Sequence, residues 1–204
     1  MAGKSEIQAS KQIPAGLEAL ITRAGGLDAV KPPVHKWNPP HGGVIDMRIA
    51  ADGLWYYRGS SIGREALVRL FASVLRKDGD KYVLVTPVEK VGITVEDAPF
   101  VAVELQVVGD GENQRMVLRT NVGDVVTIGK QHPLRFEAER GTGGLKPYVL
   151  VRDRLEARLA RPLLYELAEI GVIEKVSDAP YFGVWSTGEF YPMAPESEIS
   201  EYLE

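Results

Sequence analysis

The chain has 204 residues, 45% of them hydrophobic and 25% charged, and 24 basic against 28 acidic side chains give a net charge of −4. That size suits one domain or two compact halves. With no cysteine there is no disulfide framework, thiolate nucleophile or cysteine zinc site; three histidines leave little for a metal cage, and the negative balance argues against coating a nucleic-acid backbone.

No stretch reaches the ~18 uncharged apolar residues of a membrane span, and the opening MAGKSEIQASKQIP lacks the apolar core of a signal peptide, so a soluble, cytoplasmic protein without a membrane partner is expected. The charge is uneven. From Glu166 to Glu204 nine acids face only Lys175, a net of −8, which leaves +4 on residues 1–165. The acidic end is either a solvated tail or an internal competitor for an anion held by the basic body.

Residues 14–24, PAGLEALITRA, read as a short leading helix with Pro14 in its first turn and Leu17, Leu20 and Ile21 on one face. KPPVHKWNPP, 31–40, reads as an extended strap anchored by Trp37. VIDMRI and LWYYR around Ala51-Asp52-Gly53 predict a hairpin. A helix over 62–76 should follow, capped by Ser60 or Ser61, with Leu67, Leu70, Phe71, Val74 and Leu75 as its stripe and Lys77 to Asp80 as its stop. Residues 82–140 then read as an antiparallel meander of short strands that YVLVR resumes after Gly144. Asp153 and Glu156 have capping-box spacing for a second helix over 153–169, with Leu155, Leu159, Leu163 and Leu167 on one face and Pro162 kinking it. VIEKV, YFGVW and GEFYPM supply closing strands.

Two internal similarities compete. Glu89-Lys90-Val91 and Asp97-Ala98-Pro99 return as Glu174-Lys175-Val176 and Asp178-Ala179-Pro180, each set after a strand ending in Arg (Arg58, Arg152) and a helix. Separately, residues 82–99 align without gaps on 116–133. The first points to a duplication of two halves; the second is also explained by repeated strand-turn-strand chemistry.

Gly59-Ser60-Ser61-Ile62-Gly63 is a G-x-S-x-G pattern, and His41-Gly42-Gly43 upstream resembles an oxyanion loop. The chain before it is too short for the parallel sheet of an α/β-hydrolase, and only His132 follows to act as base, with Asp124 as an available acid. The same stretch has another use. Ser60 and Ser61 at a helix start, with Arg58 and Arg64, can cradle a phosphate or carboxylate, or the serines can simply cap the helix. Thr86, Glu89, Lys90, Thr120 and Asn121 sit where strands end, and either line a pocket or make turns. His35, His41 and Asp46 are metal-capable types on a poor, proline-rich scaffold, so no metal and no cofactor is expected. The glycine-rich basic loop 140–146 joins two strands and lacks the P-loop pattern.

The ordered set Asp52-Gly-Leu-Trp55, Gly59 with Ile62 and Arg64, Leu70-Phe71, Leu84-Val-Thr-Pro87 with Glu89-Lys90, Val95-Glu-Asp-Ala-Pro-Phe100, Thr120-Asn121 and Gly183-Val-Trp-Ser186 resembles the bacterial domain-of-unknown-function family 1285, across residues 37–191. The resemblance implies a duplicated α+β core, a pleckstrin-homology-like C-terminal half, a nucleotide-like ligand between the halves and a part in signal transduction.

The expected fold is therefore α+β: two small subdomains from a duplication, mostly antiparallel sheets each with a packed helix. The expected segments are 1–42 (leading helix and strap), 43–92 (N-terminal subdomain) and 93–204 (C-terminal subdomain with the acidic tail). The expected function is a non-catalytic sensor or adaptor holding a small anionic ligand in the cleft between subdomains. Arg58, Ser60, Ser61 and Arg64 would hold the anion, with Thr86, Glu89, Lys90, Thr120 and Asn121 lining the rest. The alternatives are a serine hydrolase using Ser61 and His132, and a protein-interaction module without a small ligand. Neither an extended nucleic-acid surface nor a particular oligomeric state is implied.

Overall fold

Met47 and Ile49, then Trp55 and Tyr57, are buried, while Arg48 and Tyr56 between them are half-exposed, and this two-residue period builds the first sheet. The computed structural model describes residues 32–139, 141 and 144–199, and the chain divides into two units, 1–99 and 100–204. The leading helix expected at 14–24 lies outside the described residues. A division at 92/93 would fall inside a strand, and the break comes after it.

In the first unit β1 (His41–Ile49), β2 (Trp55–Tyr57) and β3 (Ser60–Ser61) are followed by α1 (Glu65–Ser73) and then β4 (Leu75–Asp78), β5 (Lys81–Val85) and β6 (Lys90–Val95). They form one sheet in the order β3-β2-β1-β6-β5-β4. Every pairing is antiparallel except β1 with β6, which is parallel. Leu67, Leu70 and Phe71 give α1 its buried face, and Phe71 stacks on Trp55 with ring centroids 6.3 Å apart. The helix is shorter than 62–76. Ser60 and Ser61 belong to β3 and cap nothing, Arg64 is the N-cap residue, and Leu75 to Asp78 has left the helix for an edge strand.

Fastening of the strap also differs from expectation. Trp37 is only half-buried, whereas Val34 and Pro39 are buried. The Arg76 guanidinium on β4 donates to the carbonyls of Val34 (2.7 Å) and Trp37 (2.6 Å) and grips Asp78 through two hydrogen bonds of 2.6 and 2.9 Å. Lys90 Nζ reaches the same carboxylate at 3.0 Å. The Arg76 hydrogen bonds, with help from Lys90 and against some desolvation, hold the Asp78 carboxyl down at about 2.

The second unit contains β7 (Phe100–Val108), β8 (Arg115–Thr120), β9 (Val125–Thr127), β10 (Leu134–Ala138), β11 (Leu145–Arg152) and β12 (Leu155–Leu159). Their order is β10-β11-β12-β7-β8-β9, again antiparallel except for one parallel pair, β7 with β12. Then come α2 (Arg161–Glu169), an antiparallel sheet of β13 (Val172–Val176), β14 (Ala179–Ser186) and β15 (Glu189–Pro195), and α3 (Glu196–Ile199). The helix expected over 153–169 is corrected: Asp153, at φ +48, turns the β11–β12 hairpin, and Leu155, Ala157 and Leu159 alternate inward along a strand. Pro162 lies in the first turn of α2, where its missing amide costs nothing.

Both six-stranded sheets share one topology. Three antiparallel strands are followed by three more, and the first strand of the unit pairs in parallel with the last. This is a duplicated core, and neither sequence register identified its units. Glu89-Lys90-Val91 opens β6, whereas Glu174-Lys175-Val176 closes β13, outside either six-stranded sheet. Aligning 82–99 with 116–133 lays the β5–β6 hairpin on β8–β9, which occupies a different place in the shared order. The simple meander is likewise corrected by the two parallel pairs.

Ser186, fully buried, couples the small sheet to the large one. Its hydroxyl donates to the Ile128 carbonyl (2.8 Å) and accepts the Met116 amide (3.0 Å). In β14, a Cβ on Gly183 would lie 2.9 Å from Pro192 Cα and closer still to the Tyr191 carbonyl oxygen, so only glycine fits. Among the described residues no helix is long and apolar enough to cross a membrane.

Two stability measurements test these assignments. Ser186→Ala orphans the Met116 amide and should cost about 1–3 kcal/mol in urea unfolding; an unchanged midpoint contradicts the coupling. Asp78→Asn should cost about 1 kcal/mol at neutral pH, after allowance for solvent screening. Because the folded-state pKa is depressed, the wild-type advantage is complete above pH ~4 and disappears as pH falls toward about 2. A pH-independent difference contradicts the charge network.

Candidate functional site

Four of the nine residues singled out in the sequence lie on or beside the β2–β3 hairpin. Arg58 and Gly59 form its two-residue turn with φ of +49 and +76, the left-handed pair that matches strand twist. The Arg58 amide donates to the Asp46 carbonyl at 2.9 Å, and its guanidinium carbon lies 5.3 Å from the Tyr57 ring centroid.

The register then separates the serines. Ser60 opposes Tyr57 and Ser61 opposes Tyr56, and residues directly opposite share a face. Ser60 therefore belongs to the row of Met47 and Tyr57, on the side where Trp55 meets α1, and Ser61 to the row of Arg48 and Tyr56 on the other side. Ile62 continues the ladder through its amide to the Trp55 carbonyl at 2.7 Å and returns to the core. The two serine hydroxyls are not a convergent pair.

Arg64 is extended (φ −87, ψ 105) and no side chain caps the helix it precedes; its carbonyl accepts the amides of Leu67 and Val68. Arg48, Arg76 and Lys90 in the same unit are all ion-paired. Arg58 and Arg64 form no ion pair with any described residue. At the amino end of α1 stand Arg64 and the first-turn amides, with Glu65 as the one acid of that turn, while Arg58 and the exposed Ser60 lie on the hairpin that precedes it.

The remaining five residues make structure. Thr86 is fully buried, and its hydroxyl donates to the Glu89 carbonyl (3.1 Å) and accepts the Glu89 amide (3.2 Å), closing the β5–β6 turn. Thr120, equally buried, accepts the Asp124 amide on its hydroxyl at 3.0 Å and closes the β8–β9 turn. Asn121 clamps Val101 through side chain (3.1 Å) and backbone (2.8 Å). Lys90 is held by Asp78. Of the pocket and turn readings left open by the sequence, these contacts are those of turns.

Nucleophile geometry is not assembled. Ser61 lies in a strand of a hairpin, without the strained turn into a helix that an elbow requires. His132 Nδ1 lies 2.9 Å from the Leu150 carbonyl and the Asp124 carboxylate pairs with Arg152, so the acid and the histidine have other partners. His41 Nδ1 accepts the Gly43 amide, and among the described residues no group of three metal-capable side chains occurs.

Two residues that sequence reasoning passed over share the Ser61 row. Arg48 lies over the Tyr56 ring at 4.4 Å and pairs with Glu96, whose carboxyl is held below its ordinary range by the Ala51 amide and then by Arg48. The alternation of 47–49 and 55–57 about the Asp52-Gly53 turn carried that signal.

Comparison with known proteins gives one family. The model described as "Domain of unknown function (DUF1285), N-terminal domain" matches residues 32–98, and that described as "Protein of unknown function (DUF1285), C-terminal domain" matches residues 99–193. A crystal structure of a DUF1285 family protein from Silicibacter pomeroyi DSS-3 is 46% identical, with a TM-score of 0.81 over 89% of this chain and 97% of that one. Another, from Shewanella baltica OS155, is 28% identical over 60% of this chain and 90% of that one, with a TM-score of 0.47. No curated protein matches.

The turn assignments have a direct test. Thr86→Val and Thr120→Val should each lower stability by about 1–3 kcal/mol, because a buried amide loses its acceptor. Wild-type stability in either variant contradicts the role given to that hydroxyl.

Proposed function

This chain belongs to the DUF1285 family, and from its own side chains we propose that it is a non-catalytic ligand-binding protein, a cytoplasmic sensor or adaptor in signal transduction. Its ligand is a small phosphate-bearing, nucleotide-like anion taken at the amino end of α1. The observation that carries this reading is Arg64 at the head of a nine-residue helix with no side-chain cap, and Arg58 on the hairpin before it, neither of them paired with any described acid. The first-turn amides and the positive end of the helix dipole favour an anion there, and a guanidinium supplies a planar fork for a phosphate. Ser60, on the helix side of the hairpin, adds a hydroxyl. The net of +4 on residues 1–165 assists approach, and the −8 carried by 166–204 competes with it. A single nucleotide suits the total charge of −4 better than a polymer does.

A second reading, a protein-interaction module, has its own support. Edge strand β9 carries Val125 and edge strand β13 carries Val172 and Ile173, all exposed, and exposed apolar edges invite strand addition. The pleckstrin-homology-like reading of the C-terminal half belongs with it, since there α2 packs against β7 and β14.

Thermal denaturation with a panel of nucleotides and inorganic phosphate tests the first reading. A ligand at a hundred times its Kd should stabilise the chain by about 2.7 kcal/mol, and Arg64→Ala or Arg58→Ala should remove most of that gain. No stabilisation by any anion, or stabilisation that survives both substitutions, rejects the site.

A further inference from the structure

A second electropositive place lies wholly within the second unit. A cavity of about 290 Å³ opens where the end of β10, the start of β11, the end of β12 and the start of α2 come together. Among the described residues, Lys146, Arg158 and Arg161 line it against a single carboxylate, Glu139, so that part of its wall carries three positive charges and one negative in a chain that totals −4.

Arg161 forms no ion pair with any described residue. Lys146 and Glu139 form an ion pair at 3.7 Å, without a hydrogen bond. Arg161 donates its Nε–H to the Tyr165 hydroxyl at 3.1 Å, and its terminal nitrogens make no hydrogen bond to a described residue. Arg161 is also the first residue of α2, where the helix dipole disfavours a cation, and the first turn contains no acid. An anion bound there offsets the unfavourable placement of the Arg161 cation at the helix start. The remaining wall is apolar, including Leu159, Leu164 and the ring of Tyr165. Apolar walls with a few convergent charged groups are the usual make-up of a small-molecule site. A cavity of about 150 Å³ admits one benzene ring, so this one has room for a two-ring body and a head group.

We propose that this cavity binds a small amphipathic anion, an apolar one- or two-ring body bearing a single carboxylate or phosphate, with Lys146 and Arg161 holding the head and Leu164 and Tyr165 flanking the body. The site is independent of the one at α1, and either can fail without the other.

Calorimetric titration of the full chain with 2-naphthoate, 2-naphthyl phosphate, neutral 2-naphthalenemethanol and inorganic phosphate tests it, with amide chemical shifts to locate binding. At least one naphthyl anion should bind saturably and shift amides of residues 159–165, and the tighter of the two identifies the head group. The neutral alcohol and inorganic phosphate should each bind about tenfold more weakly or worse, about the value of one charge-assisted hydrogen bond or one buried ring face. Arg161→Gln, at an exposed position, and Lys146→Gln should each weaken the anion about five- to tenfold and leave the alcohol unaffected; Arg64→Ala should change nothing. The proposal is overturned if neither anion saturates in the millimolar range, if the alcohol or inorganic phosphate binds as well as the better anion, or if both glutamine variants bind it as wild type. Loss of binding in Arg64→Ala with retention in the glutamine variants overturns it too, and assigns the anion to α1.

Discussion

Each unit is closed by the parallel ladder between its first strand and its last. In the first, β1 and β6 pair from His41 with Lys90 to Ile49 with Val95; in the second, β12 meets β7 from Ala157 with Phe100 to Leu159 with Ala102. All the other pairings in these sheets are hairpins or near-neighbour contacts. The two halves of a unit are therefore joined only when its final strand arrives, and the loop-closure entropy of that step is the largest the unit meets. Burial compensates for it: Ile49, Phe100, Ala102, Ala157 and Leu159 at the ladder are all fully or nearly fully buried. Helices are fitted around this frame at different points in the chain, α1 between the two strand trios and α2 after the second.

Much of this architecture was legible from alternation. Trp55, Met116 and Leu118 announce strands because polar or half-exposed residues separate buried ones at period two. The misreading at 153–169 has a definite cause. Leu155, Leu159, Leu163 and Leu167 are spaced by four, which puts residues on one face of a strand as well as near one face of a helix, and the first two belong to β12 while the last two belong to α2. Pro162, read as an interruption, marks the helix start. Parallel pairing was illegible because alternation looks the same in either orientation and the partners lie about fifty residues apart in the chain. The similarity of 82–99 to 116–133 reflects two hairpins that each use a buried threonine at the turn.

The residues that identify the family mostly make the fold. Trp55 fills the first core, Glu96 fastens Ala51 and Arg48, Thr86 and Thr120 close turns, Asn121 clamps Val101, Gly183 leaves no room for a side chain and Ser186 couples two sheets. Such residues name a family without naming its ligand, because, the buried Trp55 Nε1 apart, their polar atoms are occupied internally. Site chemistry has to be sought in what the fold leaves open: Arg58 and Arg64 ahead of α1, and the cavity that cations line at the start of α2. The first pair could be picked out in the sequence, although its serines could not be sorted to their faces without the register. The second could not, because Lys146, Arg158 and Arg161 reach one cavity from three different elements.

Native-state hydrogen exchange measures the closing ladders most directly. Amides of β1, β6, β7 and β12 in the parallel pairings should exchange only through global opening of their unit, and so be the slowest in each sheet. Slower exchange in the outer hairpins, with β1–β6 or β7–β12 opening first, would contradict the claim that first-to-last strand pairing holds each unit together.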